Sequence, residues 1–168
     1  MLILGEGAVK PIDSREQESE IMKARDLMTK DPQVVTVNQR VSDAARIMRD
    51  QGVGCVPVVD ATSTMRVKGV ITDRDIAVRC AAERHVDDCP VIEHMTAGPL
   101  DTVAPDSDVE DVMELMELDR VRRILVTEGD RLIGIIAQAD LALKEGPLEP
   151  LKVEQVLERV SAPSVPLP

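Results

Sequence analysis

The segment Gly69-Val70-Ile71-Thr72-Asp73-Arg74-Asp75-Ile76-Ala77-Val78-Arg79 returns later in the chain as Gly134-Ile135-Ile136-Ala137-Gln138-Ala139-Asp140-Leu141-Ala142-Leu143-Lys144, with four identical positions and four conservative ones. The same order recurs upstream of each copy: Met28-Thr29 and Pro32 are answered by Met95-Thr96 and Pro99, and Val41, Ala44, Ala45 and Met48 by Val109, Val112, Met113 and Met116. A unit of roughly sixty-five residues is therefore stated twice, which restricts the chain to a fold of two similar halves. Neither half alone buries much surface, so a 168-residue chain of this kind is expected to pack its halves together with pseudo-twofold symmetry.

Each half reads as β-α-β-β-α, an α+β fold. Val34 to Val37 suits a short strand, and Val41 to Arg49 carries apolar residues at helical spacing, closed by Gly52 and Gly54. Val56 to Val59 and Val67 to Thr72 read as strands joined by the turn Asp60 to Met65, and Asp73 to Ala82 reads as a helix. The second half repeats this through Thr102-Val103, the helix Val109 to Glu117, the strands Ile124 to Thr127 and Arg131 to Ala137, and the helix Gln138 to Glu145. The expected organisation is an acidic N-terminal tail over 1–20, a first unit over 21–83, a linker over 84–90, a second unit over 91–146 and a C-terminal extension over 147–168. Within that extension Pro147 and Pro150 interrupt any helix, Lys152 to Val160 reads as a short one, and the Pro-rich end from Ala162 is expected to be loose.

The chain has no Phe, Tyr or Trp, so Val, Ile, Leu, Met and Ala must build the core, and any bound ring must lie against aliphatic groups and backbone. Missing aromatics argue against the stacking platforms of single-strand nucleic-acid binders, and a net charge of −11 argues against nucleic acid and anionic membranes as partners. Met1 to Leu4 is too short for a signal segment and no window has spanning length, so a cytoplasmic protein with reduced cysteines is expected.

The paired units, with Val53-Gly54-Cys55-Val56-Pro57-Val58-Val59-Asp60 and the two Gly-h-h-x-x-x-Asp closures, resemble a tandem CBS domain pair, the Bateman module, over about residues 24 to 146. The overall form is similar to stand-alone bacterial CBS proteins, including the hypoxic response type of actinobacteria. The resemblance implies a regulatory module for an adenosyl ligand, AMP, ADP or ATP foremost, or NAD or S-adenosylmethionine, with no obligatory cofactor. It implies ribose hydroxyls held by Thr72 and Asp75, since a carboxylate can accept from two hydroxyls at once. In the second copy Asp140 remains, but Ala137 stands where a hydroxyl is expected, so one good site is anticipated. Val121-Arg122-Arg123-Ile124-Leu125-Val126 occupies the place of Val53 to Val58 in the first repeat, and by resemblance Arg122 and Arg123 would meet a phosphate. Leu125 stands where the family usually has Pro. Adenine is expected near Thr36, Val37, Val53 and Val56. A flat homodimer and a separate effector protein complete the expectation.

These residues also have plainer uses. Asp75 and Asp140 can cap helices, Thr72 can be an N-cap, and Arg122 and Arg123 can pair with surface acids. Cys80, His85, Cys89 and His94 are zinc-ligand types, but they lack the close Cys-x-x-Cys or His-x-x-x-His pair of structural zinc sites and read as linker and helix-end residues without a metal. Cys55 reads as a small buried residue, and the Met48, Met113 and Met116 set as packing. No glycine-rich phosphate loop or nucleophile elbow is present, so the chain reads as a non-enzyme. The alternatives to a nucleotide module are a ligand-free interaction module and a Cys/His metal or redox responder.

Overall fold

A computed structural model describes residues 22–82, 89–143 and 150–162, with the backbone alone for Leu151. The expectations for the tail, for most of the linker and for the Pro-rich end lie outside these residues.

In the first repeat, helix α1 (Ala24–Leu27) and strand β1 (Thr29–Lys30) precede β2 (Val35–Thr36), helix α2 (Val41–Gln51), β3 (Cys55–Val59) and β4 (Val67–Thr72). Helix α3 (Asp73–Asp75) then continues as a π-helix, Ile76–Ala81. The second repeat runs through α4 (Val91–His94), β5 (Thr102–Val103), α5 (Val109–Asp119), β6 (Arg123–Glu128), β7 (Arg131–Ala137) and α6 (Gln138–Leu143). Helix α7 (Pro150–Ser161) starts two residues before the predicted one, because Pro at a first helical position gives up no intrahelical hydrogen bond.

The long helices follow from their sequences. Helix α2 buries Val41, Ala44 and Met48, and its first turn is held by Asp43, whose carboxylate accepts from Arg40 N at 3.1 Å. It ends at Gly52, whose φ of 65° supplies the left-handed C-cap. Helix α5 buries Val109, Val112, Met113 and Met116, the positions matched in the repeat.

Among the described residues the strands form two sheets, β2-β3-β4 and β1-β7-β6-β5. The first repeat's β1 thus lies in the second repeat's sheet, with Thr29 opposite Ile135 and Lys30 opposite Gly134. Thr96 returns the exchange by bridging to Val70 on β4, through hydrogen bonds of 2.8 and 3.1 Å. The short helices are exchanged in the same way. Ala24 N donates to Ser107 O at 2.8 Å, and its counterpart Val91 N donates to Gln39 O at 2.9 Å. Val109 N donates to Met22 O at 3.0 Å, as Val41 N does to Cys89 O at 2.9 Å. These matched contacts express the pseudo-twofold relation residue by residue.

Three apolar clusters result among the described residues. One joins Ala24 and Leu27 to α5, β6, β7 and to Val153, Val156 and Val160 of α7; a second joins Val91, Cys80 and Cys89 to α2 and β3. The third, around Val59, Leu125 and Leu132, lies between the two sheets. Helix α7 also ties to α5 by ion pairs from Lys152 to Glu110 and from Arg159 to Glu117, each 2.9 Å.

Candidate functional site

The turn from β4 into α3 is a reciprocal capping box. Thr72 Oγ1 donates to Asp75 Oδ2 at 2.6 Å and accepts from Asp75 N at 3.1 Å, while Thr72 N donates to the same carboxylate oxygen at 3.0 Å. Arg79 pairs with Asp75 Oδ1 at 3.4 Å, and its other guanidinium nitrogen donates to the carbonyls of His94 and Met95 at 2.8 and 3.2 Å. The motif of one repeat is thereby tied to the lead-in helix of the other. In the second repeat Ala137 N donates to Asp140 Oδ2 at 2.7 Å, with no hydroxyl to complete the box.

Thr72 opens onto a cavity of about 380 Å³, shared between the repeats. Val70 and Cys55 stand with Thr72 on one side; Thr96, Pro99, Leu100 and Asp101 of the second lead-in and Val121, Arg122, Arg123 and Leu125 form the other. Thr72 and the two expected arginines thus border one space, whereas Asp75 does not line it and is linked to it through its bonds to Thr72. Arg122 also reaches α7, where its Nε lies 3.5 Å from Val160 O. Arg123 and Asp73 both lie over Gly54, where a side-chain Cβ would come within 3.4 Å of the Arg123 guanidinium and 3.0 Å of the Asp73 carboxylate.

A pseudo-symmetric cavity of about 550 Å³ carries the corresponding residues: Thr29, Pro32 and Gln33, then Val53, Gly54, Cys55 and Pro57, then Ile135, Ala137 and Asp140. Val53 faces this second space rather than the one beside Thr72. Val56 is fully buried in the first-repeat core, Val37 packs against that core, and Thr36 N donates to Gln39 Oε1 at 2.7 Å. None of these three lines either cavity. The walls Thr96, Pro99, Leu100 and Val121 were not anticipated as ligand contacts. Their signal is the repeated Met-Thr and Pro, which the exchange carries across to the other repeat's motif.

Cys55 borders both cavities and is 6 % exposed. Burial pushes its thiol up to about 11, against the pull of Arg123 and with small additions from Asp75 and Asp73. Unfolded, the thiol titrates at its ordinary value of 9.0. The folded protein therefore holds a proton that the unfolded chain has lost, so this contribution to stability is intact below about pH 9 and vanishes as pH rises through about 11. Denaturant titrations are expected to lose about 2–3 kcal/mol across that window, and Cys55→Ala to flatten the loss. Burial, followed by the neighbouring Asp119 carboxyl, also raises Asp101 above its ordinary value.

A separate group lies in the first-repeat core. The ligand atoms of Cys80, Cys89 and His94 all lie within 4.8 Å of one another, and all three residues are buried. The wide spacing in sequence is closed by the π-helix and the exchanged α4. His85 lies outside the described residues.

Two β-α-β-β-α units that exchange lead-ins and enclose paired clefts define a tandem module, and the CBS domain model matches residues 24–81 and 90–144. The chain belongs to the CBS domain family, with two copies of the domain. It is 40% identical to the uncharacterized protein YlbB of Bacillus subtilis over 73% of this chain and 82% of that protein. Among solved structures, it resembles Hypoxic Response Protein I with two coordinated zinc ions, at a TM-score of 0.64 and 27% identity over 72% of this chain and 97% of the other. It also resembles the CBS domain pair of protein MJ0100 in complex with 5′-methylthioadenosine and S-adenosyl-L-methionine, at a TM-score of 0.64 and 25% identity over 73% and 94% of the two chains. Among the described residues, no helix is long and apolar enough to cross a membrane.

Proposed function

We propose that the chain is a regulatory module that binds an adenosyl ligand, an adenine nucleotide foremost, in the cavity beside Thr72. The observation that carries this reading is the meeting of the Thr72 hydroxyl with Arg122 and Arg123 around one aliphatic-walled space of about 380 Å³. Such a volume falls within the range of small-molecule sites. Adenine would lie against Val70, Pro99, Leu100 and Val121, in keeping with a chain that has no aromatic residue. The ribose hydroxyls would replace the bond that Thr72 now donates to Asp75, and the arginine forks would meet phosphate. The adenosyl compounds bound by the MJ0100 pair support this class of ligand.

Ligand bridging the two repeats would favour one packing of them, by as much as its affinity differs between the two states. The readout belongs to a separate effector protein, and the module itself is read as a non-enzyme in the cytoplasm. A homodimer fits the exposed apolar side chains Val78 and Leu143, 58% and 79% accessible, which occupy matched positions on the closing helices of the two repeats.

Calorimetric titration with AMP, ADP, ATP and adenosine tests the site. Asp75→Ala and Thr72→Ala are expected to weaken every ligand by about 10- to 100-fold. Arg123→Ala is expected to weaken only the phosphorylated ones, and Asp140→Ala to change little. The same protein is almost transparent in the near ultraviolet, so copurified nucleotide would appear as an adenine band. If folded wild-type protein binds none of these and no adenosyl cofactor shifts its melting temperature, the ligand-free interaction module replaces this reading.

A further inference from the structure

We infer that Cys80, Cys89 and His94 form a binding site for a thiophilic divalent cation, zinc by preference, that clamps the exchanged helix α4 onto the first repeat. The donors come from three separate stretches: Cys80 from the π-helix, Cys89 from the segment before α4, and His94 from the last residue of α4. They are 0%, 2% and 8% exposed, and neither cysteine is in a disulfide. Their backbones are held from outside the cluster. Cys89 O accepts from Val41 N at 2.9 Å, and His94 O accepts from the guanidinium of Arg79, the neighbour of Cys80, at 2.8 Å.

The duplicate supplies an internal control. Matched contacts place Cys89 opposite Met22 and His94 opposite Leu27, so the other repeat fills these positions with apolar side chains. The fold itself asks only for aliphatic volume there. A thiol and an imidazole at these two positions are a departure that packing does not require. The π-helix is a second departure. Its extra residue per turn sets Cys80 into the core, and such insertions recur at functional sites.

The distances suit the metal. With zinc bonds of about 2.3 Å to sulfur and 2.0–2.1 Å to nitrogen, tetrahedral donors stand about 3.5–3.8 Å apart, so a group already within 4.8 Å needs to contract by about 1 Å. Two thiolates and one imidazole are the donor set of borderline-soft ions, and calcium or magnesium would find no hard oxygen ligand among them. Binding releases the thiol protons to solvent and leaves the fourth tetrahedral position for a further donor or water.

The test is a titration of the reduced, metal-free full-length protein with cobalt(II) alone, followed by optical absorption. One equivalent per chain is expected to produce a sulfur-to-cobalt charge-transfer band, unobscured in a protein without Trp or Tyr, together with strong visible bands of a tetrahedral ion. Zinc is expected to displace both. Cys89→Ala is expected to abolish the bands, as is His94→Leu, which installs the side chain that the other repeat already accommodates. No cobalt spectrum in the folded wild type would overturn the inference, as would bands that persist in both variants. The wild-type titration stands even where a variant fails to fold.

Discussion

Alanine at position 69 is expected to cost the protein about 3 kcal/mol or more, and no second substitution in the neighbouring side chains is expected to restore it. A Cβ at Gly69 would come 2.6 Å from the carbonyl oxygen of Thr96. That carbonyl accepts from Val70 N at 3.1 Å while Thr96 N donates to Val70 O at 2.8 Å, so it can retreat only by breaking the exchange. The pseudo-equivalent Gly134 meets something softer. Its Cβ would come close to Met28, 2.9 Å from Cγ and 3.1 Å from Cβ, all of it side chain. Gly134→Ala is therefore expected to cost about 1–3 kcal/mol and to be largely rescued by Met28→Ala, whereas Met95→Ala does not rescue Gly69→Ala. Urea melts of the wild type, the four single variants and the two double variants measure this directly. Equal rescue at both positions would refute the backbone argument.

Leu27→Ala carries the second large effect, a loss of about 2–5 kcal/mol. Leu27 belongs by sequence to the first repeat but packs, 3% exposed, among Val109, Val112, Met113 and Met116 of the second. The damage should follow the packing. In native-state hydrogen exchange, amides of α5 and β7 are expected to lose protection before those of α2 and β3. Early loss in α2 instead would mean that α1 supports its own repeat.

The contrast shows what the sequence made legible. The repeat, the helical stripes of α2 and α5, and the paired strands β3-β4 and β6-β7 were all readable, because each is a local pattern of apolar spacing or a hairpin. Two-residue strands such as β1 and β2 carry no periodicity, and α1 and α4 are single turns, so neither they nor their exchange could be read. Thr72, Arg122 and Arg123, brought together in the sequence by the family resemblance, line one cavity. The Pro99-Leu100 wall could not be read, since it arrives through the exchange, and the expected positions Thr36, Val37 and Val56 stand away from both cavities. Cys80, Cys89 and His94 were visible as ligand types but read as metal-free, for a related reason: π-helical geometry and a swapped turn, rather than close spacing, bring them together.

The reciprocal loan of α1-β1 and α4 also bears on ancestry. A polypeptide with one copy of the unit cannot lay its lead-in on its own Gly-containing strand in this geometry; it must borrow from a second molecule. An unduplicated forerunner would thus have been an obligate domain-swapped dimer, folding only where concentration allowed. Fusion of two copies converts that encounter into an intramolecular one, fixed by tether length instead of abundance. It also releases the two halves to drift apart, which is how one could keep the Thr72 hydroxyl while the other came to hold Ala137.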